Sequence, residues 1–178
     1  MSNKVKVTFE NFTRLDRETL EMIYKWRTSE EISQCMENQG KFSIEDHLKF
    51  CASLKDRKDK LYYLIKFDGV PCGVYDYVDI DDKNKVAVPG NYMIGNYQKY
   101  AYVVCFLQNY ILKKHGIKTV KFYVLKSNVK ALLFQVVKLK HQILFEDKDK
   151  YYFQELSFDP EKHEQAFLLD KYECEILD

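Results

Sequence analysis

The chain has almost no net charge. Its 28 lysines and arginines face 27 aspartates and glutamates, leaving +1 over 178 residues. So balanced a chain has no global basic field to draw it toward nucleic acid or an anionic membrane. The local basic clusters, Lys113-Lys114-His115 and Lys138-Leu139-Lys140, have acidic residues nearby and read as solvated faces. A long hydrophobic run is also missing. The longest, over 100–112, is interrupted by Gln108-Asn109 and is too short to span a bilayer. The five cysteines (Cys35, Cys51, Cys72, Cys105, Cys174) form no Cys-x-x-Cys pair, and none stands beside a histidine at ligand spacing. No metal site is therefore expected. Free thiols imply a reducing compartment, and Met1-Ser2-Asn3-Lys4-Val5 carries no hydrophobic signal region. The expectation is a cytoplasmic protein. No internal repeat and no linker divide the chain.

What is present is an apolar fraction of 46%, with 15% aromatic residues, enough for one domain to bury a core without staples. Alternation predicts a half-buried strand over 4–9. Asp16 is suited to cap a helix reaching Arg27, with Leu20, Ile23 and Tyr24 on its inner side. A short helix over 29–36 follows. Ser43 and Asp46 resemble a capping box ahead of a helix to Leu54. Strands over 61–67 and 70–80 flank the strong hairpin signal Asp68-Gly69. A third antiparallel strand covers 85–94, and Pro89-Gly90 inside it must make it bulge or splay. Then come a helix over 101–114 stopped by Gly116, a strand over 117–125, an Asn128-led helix over 129–137 and a last hairpin around Asp147-Lys148-Asp149-Lys150. Residues 1–158 read as the domain, and 159–178 as a tail with a helix over 160–169.

The succession from Tyr92 through the Asn128 helix resembles the acyl-CoA-binding half of the GCN5-related N-acetyltransferases (GNAT). In the N-terminal half, Trp26-Arg27-Thr28-Ser29-Glu30-Glu31-Ile32, then Met36, then Ser43 to Phe50 resemble the branch that acetylates ribosomal-protein N-termini or amino groups of nucleotide-linked sugars. Within it, the chain is similar to the UDP-4-amino-sugar N-acetyltransferases of pseudaminic-acid biosynthesis. The resemblance implies an α+β fold: a mixed, mostly antiparallel sheet, helices on both faces and a splayed strand pair. It also implies acetyl-CoA as co-substrate, with the pantetheine pairing along Met93, Ile94 and Gly95. The diphosphate would meet the amides of Gln98, Lys99, Tyr100 and Ala101 at a positive helix start. Asn128 and Ala131 fall where the family has "NxKA" beside the pantetheine, although an asparagine there is also an ordinary N-cap. The acceptor, an amino sugar nucleotide, would meet Trp26, Arg27 and Met36. An arginine suits a phosphate, and a tryptophan either stacks on a ring or packs in the core. Tyr75 and Tyr77 would line the acceptor groove. A homodimer is compatible with the resemblance.

Amide formation from a thioester needs a neutral amine, an oxyanion donor and a proton for the departing thiolate. The base position of the sugar branch falls on Asp76 in Cys72-Gly73-Val74-Tyr75-Asp76. Alternation gives Asp76 the neighbours Val74 and Val78. A carboxylate on an apolar face has its pKa raised toward neutrality, whereas one facing solvent or paired with a lysine does not. The chain departs from the family pattern at several points. Gln98 and Tyr100 stand where the diphosphate loop has glycines, and Gln135 stands where the family has a tyrosine acid. The strand over 85–89 lacks the usual carboxylate. His47 and His141 show no partner for a triad or a metal and read as structural. The readings left open are an N-acetyltransferase of amino sugar nucleotides, an acyltransferase with another donor or a protein N-terminal acceptor, and a catalytically inactive scaffold of the same fold.

Overall fold

The computed structural model describes residues 4–36 and 42–178; Met1, Ser2 and Asn3, part of the signal-region reading, lie outside the described residues. β1 (Val5–Asn11) leads into α1 (Arg17–Thr28), whose first turn is satisfied by Asp16 accepting from the Thr19 amide at 2.8 Å. α2 (Glu30–Ser33) is a single turn. α3 (Ile44–Ser53) opens on a complete capping box. The Ser43 hydroxyl accepts from the Asp46 amide at 3.1 Å, and the Asp46 carboxylate accepts from the Ser43 amide at 3.3 Å. β2 (Leu61–Phe67) and β3 (Val70–Asp81) join through Asp68 and Gly69, both at positive φ, as a two-residue hairpin turn requires.

β4 (Val86–Met93) is followed by a 3-10 segment, Gly95–Tyr100, that runs into α4 (Ala101–Leu107) and α5 (Asn109–His115). Gly116, at φ +66, closes α5. β5 (Thr119–Leu125) precedes Asn128, which caps α6 (Val129–Leu133). The helix expected to continue to 137 widens instead into a π turn, Phe134–Lys138. β6 (Phe145–Glu146) and β7 (Lys150–Leu156) form the predicted hairpin, and β8 (Tyr172–Leu177) ends the chain.

Among the described residues, eight strands form one sheet, ordered β6-β7-β5-β4-β3-β2-β1-β8. Only β4–β5 and β1–β8 are parallel, so the sheet is mixed and mostly antiparallel. Alternation along β2 and β3 feeds two cores. Tyr63, Ile65, Tyr75 and Tyr77 pack with Val103, Leu107 and Ile111 of α4 and α5, while Leu64 and Val74 pack with Ile23 and Cys51 of α1 and α3. Helices therefore cover both faces, and the α+β expectation holds.

The tail reading of 159–178 needs correction. The helix expected over 160–169 is two short 3-10 turns, and Tyr172–Leu177 is an edge strand in parallel register with β1. Its alternation explains this: Tyr172, Cys174 and Ile176 pack on the core, while Glu175 pairs with Lys6 at 2.7 Å.

The wedge that positions the site comes from β4. Its pairing with β5 ends after Val86↔Thr119 and Ala87↔Val120. Pro89, which follows, has no amide to offer a fifth strand. The bulge expected at Pro89-Gly90 does not occur there. β4 keeps register with β3 through Tyr77↔Pro89 and Asp76↔Gly90, and the irregularity lies between Val78 and Asp81, where Asp79 has φ +51. The splay is on the β5 side.

Candidate functional site

At the mouth of this wedge Asp76 lies on the α1/α3 face, half-buried, directly opposite Gly90. A Cβ on Gly90 would stand 2.8 and 2.9 Å from the two carboxylate oxygens, so the carboxylate rests on bare β4 backbone. Only glycine leaves that room. Burial pushes the Asp76 carboxyl up to about 7, against the opposing pull of Lys60 and Arg27. The apolar-face reading of Asp76 is thus the one realised, with Val74 beside it in the α1/α3 core.

Three further groups surround Asp76 that the sequence reading did not single out. Tyr62 is its cross-strand partner on β2, Tyr92 lies on the same face of β4, and Lys60, just before β2, is close enough for its charge to act on the carboxyl. Burial pushes both phenols up, and each feels the charges of Asp76 and Arg27. Arg27 lies with its guanidinium carbon 5.9 Å from the centre of the Phe42 ring. Trp26 is half-buried against the α1/α3 core. A carboxylate, two cations and several aromatic rings are thus gathered about one position of β3.

Tyr75 and Tyr77 are not part of it. Both are buried on the opposite face, 4% and 0% exposed, their rings 5.3 Å apart, and the Tyr77 hydroxyl donates to the Gln108 side chain. Their expected groove role is corrected by the strand's alternation, which sends residues 75 and 77 away from 76. Met36 is separate as well. It lines a cleft of about 540 Å³ with Gln34, Leu125, Ser127 and the β6–β7 turn, at the C-terminal end of β5. His47 is structural, as read: its Nε2 lies 3.1 Å from the Leu20 carbonyl, tying α3 to α1.

Of the residues expected along the coenzyme, Met93 is buried opposite Gly73, the Ile94 amide donates to the Cys72 carbonyl at 2.9 Å, and Gly95 takes φ +50. Tyr100 does not fill the wedge. Its ring packs on Phe67 at 4.9 Å, on the strand two places from β4 in the direction away from β5. Lys99 reaches over the Tyr100 ring at 5.1 Å. The Asn128 side chain accepts from the Ala131 amide at 3.1 Å, an N-cap that holds both residues at the end of β5. Gln135 faces His141, with 2.8 Å between Oε1 and Nδ1. Among the described residues no cluster of His, Cys, Asp or Glu is arranged to hold a metal, and no helix is long and apolar enough to cross a membrane.

No family model matches the chain. It is 33% identical over 156 residues to an acetyltransferase, PseH, of Campylobacter jejuni, covering 82% of this chain and 91% of the relative. The crystal structure of C. jejuni N-acetyltransferase PseH in complex with acetyl coenzyme A superposes with a TM-score of 0.65 at 30% identity, over 85% of this chain and 99% of that one. Apo FdhC, a nucleotide-linked sugar GNAT, gives 0.69 at 20% identity over 88% and 90%, a likeness of fold.

Proposed function

This chain belongs to the GCN5-related N-acetyltransferases, in the branch of acetyltransferase PseH, and from that premise we propose that it transfers acetyl from acetyl-CoA to the amino group of a nucleotide-linked amino sugar, with Asp76 as the base. The observation that carries the reading is the Asp76 carboxyl, half-buried on the Gly90 backbone where β4 leaves β5 and raised to about 7. A carboxylate of that basicity can take the ammonium proton of an acceptor near neutrality, which an ordinary aspartate cannot. Arg27 and Lys60 supply charge for the nucleotide phosphates, and Trp26, Tyr62 and Tyr92 supply the walls.

Acetyl-CoA would extend its pantetheine along the β4 edge released beyond Ala87, as an added strand through Met93, Ile94 and Gly95. Asn128 and Ala131 border it from the β5 side. Its diphosphate would lie by Gln98, Lys99, Tyr100 and Ala101. Asp76 takes the ammonium proton to leave a neutral amine, the amine attacks the thioester carbonyl, and the adduct breaks its C–S bond, the second nitrogen proton leaving with the coenzyme thiol. With the reactants aligned, proximity supplies about 7–11 kcal/mol of the barrier.

The test is acetyl transfer to UDP-4-amino-sugars, followed by thiol release. Wild-type kcat/KM should rise with pH through about 7. Asp76→Asn should lose about 10²–10⁴-fold and that limb of the profile while still binding acetyl-CoA. An unchanged rate in the variant removes Asp76 from the base role. A wild-type protein that binds no acetyl-CoA removes the whole reading.

A further inference from the structure

The wedge opens toward the C-terminal ends of β4 and β5, because their only ladder contacts lie at the other end, Val86↔Thr119 and Ala87↔Val120. The segment that follows β4 and the helix that follows β5 stand on opposite lips of that opening. One side-chain chain joins them. Lys130, on α6, donates to the carbonyl oxygen of Gln98, and the Gln98 amide nitrogen donates to Glu31 Oε1 at 2.8 Å. The carboxylate of Glu31 can only accept, so it fixes which end of the Gln98 amide is nitrogen and turns the oxygen toward Lys130. The result is an ion pair transmitted through a carboxamide, spanning three elements across the wide end of the wedge. Glu31 and Lys130 are exposed, Gln98 is half-buried and none of the three belongs to the core, so packing does not account for them.

Resting on the acetyltransferase reading, we propose that Gln98 and Lys130 form a polar clasp over the coenzyme cleft. Acetyl-CoA opens it, and the Lys130 ammonium then exchanges the Gln98 oxygen for an oxygen of the coenzyme's diphosphate. The chemistry fits the local deficit. Gln98 and Tyr100 carry side chains where close approach of a phosphate to the backbone would want glycine, so part of the diphosphate's binding has to come from a mobile cation. A lysine is a compact charge on a flexible stem and can make that exchange. Gln98 also keeps the Glu31 carboxylate from standing at the same spot as the incoming anion.

Equilibrium binding of three probes decides it: acetyl-CoA, 3′-dephospho-acetyl-CoA and S-acetylpantetheine, the last lacking the diphosphate. Lys130→Met should weaken both nucleotide-containing probes by about tenfold and leave S-acetylpantetheine unchanged. Gln98→Ala, which keeps the cation and removes its resting partner, should bind acetyl-CoA more tightly. Lys130→Met alters an exposed side chain and Gln98→Ala a half-buried one outside the core, so both should keep the wild-type melting temperature. Unchanged acetyl-CoA affinity in Lys130→Met, an equal loss for all three probes, or a loss with acetyl-CoA alone (a 3′-phosphate contact) each overturns the clasp. So does weaker acetyl-CoA binding in Gln98→Ala, which would make the Gln98 side chain itself a ligand. These results leave the acetyltransferase reading standing; failure of the wild type to bind acetyl-CoA removes both.

Discussion

A carboxylate that loses solvent faster than it gains partners becomes a base, and Asp76 shows the consequence for stability as well as for chemistry. Its folded pKa of about 7 lies above the 3.8 of an ordinary aspartate. Between those values the folded state holds a proton that the unfolded chain has lost, so stability falls as pH rises from about 4 to 7 and is level above. Asp76→Asn should therefore melt higher than wild type at pH 8, by roughly 2–4 kcal/mol after allowance for solvent contact, and match it near pH 4. Thermal melts at the two pH values check this; equal gains at both would mean that the carboxylate is not desolvated. Gly90 belongs to the same argument. Gly90→Ala puts a methyl about 2.8 Å from the Asp76 carboxylate, which must turn away from the wedge. The expected result is a tenfold or greater fall in kcat with acetyl-CoA binding retained, since a small misplacement of a reacting group costs on that order. An unchanged kcat would show that the carboxylate's seat on β4 does not matter.

Among the secondary elements, α3 rests on its start. The reciprocal Ser43–Asp46 bonds satisfy amides that the first turn leaves open, and the helix holds His47 and Cys51 against α1 and Phe50 against Tyr62, the cross-strand neighbour of Asp76. Ser43→Ala should cost about 1 kcal/mol, or some 2–4 °C in Tm. In a double-mutant cycle with Asp46→Ala the losses should fail to add, because the two side chains bond each other at 2.8 Å. Additive losses would mean that the box does not form in solution. Elements were mostly legible in the sequence because their signals are local: Asp16 and Ser43 as caps, Asp68-Gly69 as a turn, Gly116 as a stop. The π turn after α6 was not, since an i→i+5 geometry has no residue signature of its own.

Across the whole molecule, one edge strand of the sheet comes from residues far from its neighbour in the chain. β8 covers the β1 edge, and the buried Tyr63 hydroxyl donates to Asp178 at 2.7 Å. Deleting residues 172–178 should remove about 3 kcal/mol from the packing of Tyr172, Cys174 and Ile176 alone, read as a lower urea midpoint. It should also make β1, with its buried Val7 and Phe9, the new edge strand, more prone to association than β8. A truncated chain with an unchanged midpoint would show that β8 is only laid against the sheet.

Residue order alone determined the hairpins, the caps, the position of the splay and the candidacy of Asp76. The first three follow from a turn dipeptide, a capping residue or a missing proline amide within a few neighbours, and Asp76 from the family resemblance at Gly73-Val74 just before it. Which groups stand around Asp76 was decided only on folding. Counting back from the Asp68-Gly69 turn, Phe67↔Val70 and Lys66↔Pro71 would set Tyr62 opposite Tyr75, but the irregularity between Ile65 and Lys66 shifts the pairing by one and brings Tyr62 to Asp76. A one-residue slip exchanges the two faces of a strand. The same dependence on distant pairing turned Tyr75 and Tyr77 into core, gave 172–177 a partner at the other end of the chain, and joined Gln98 to Lys130 across the wedge.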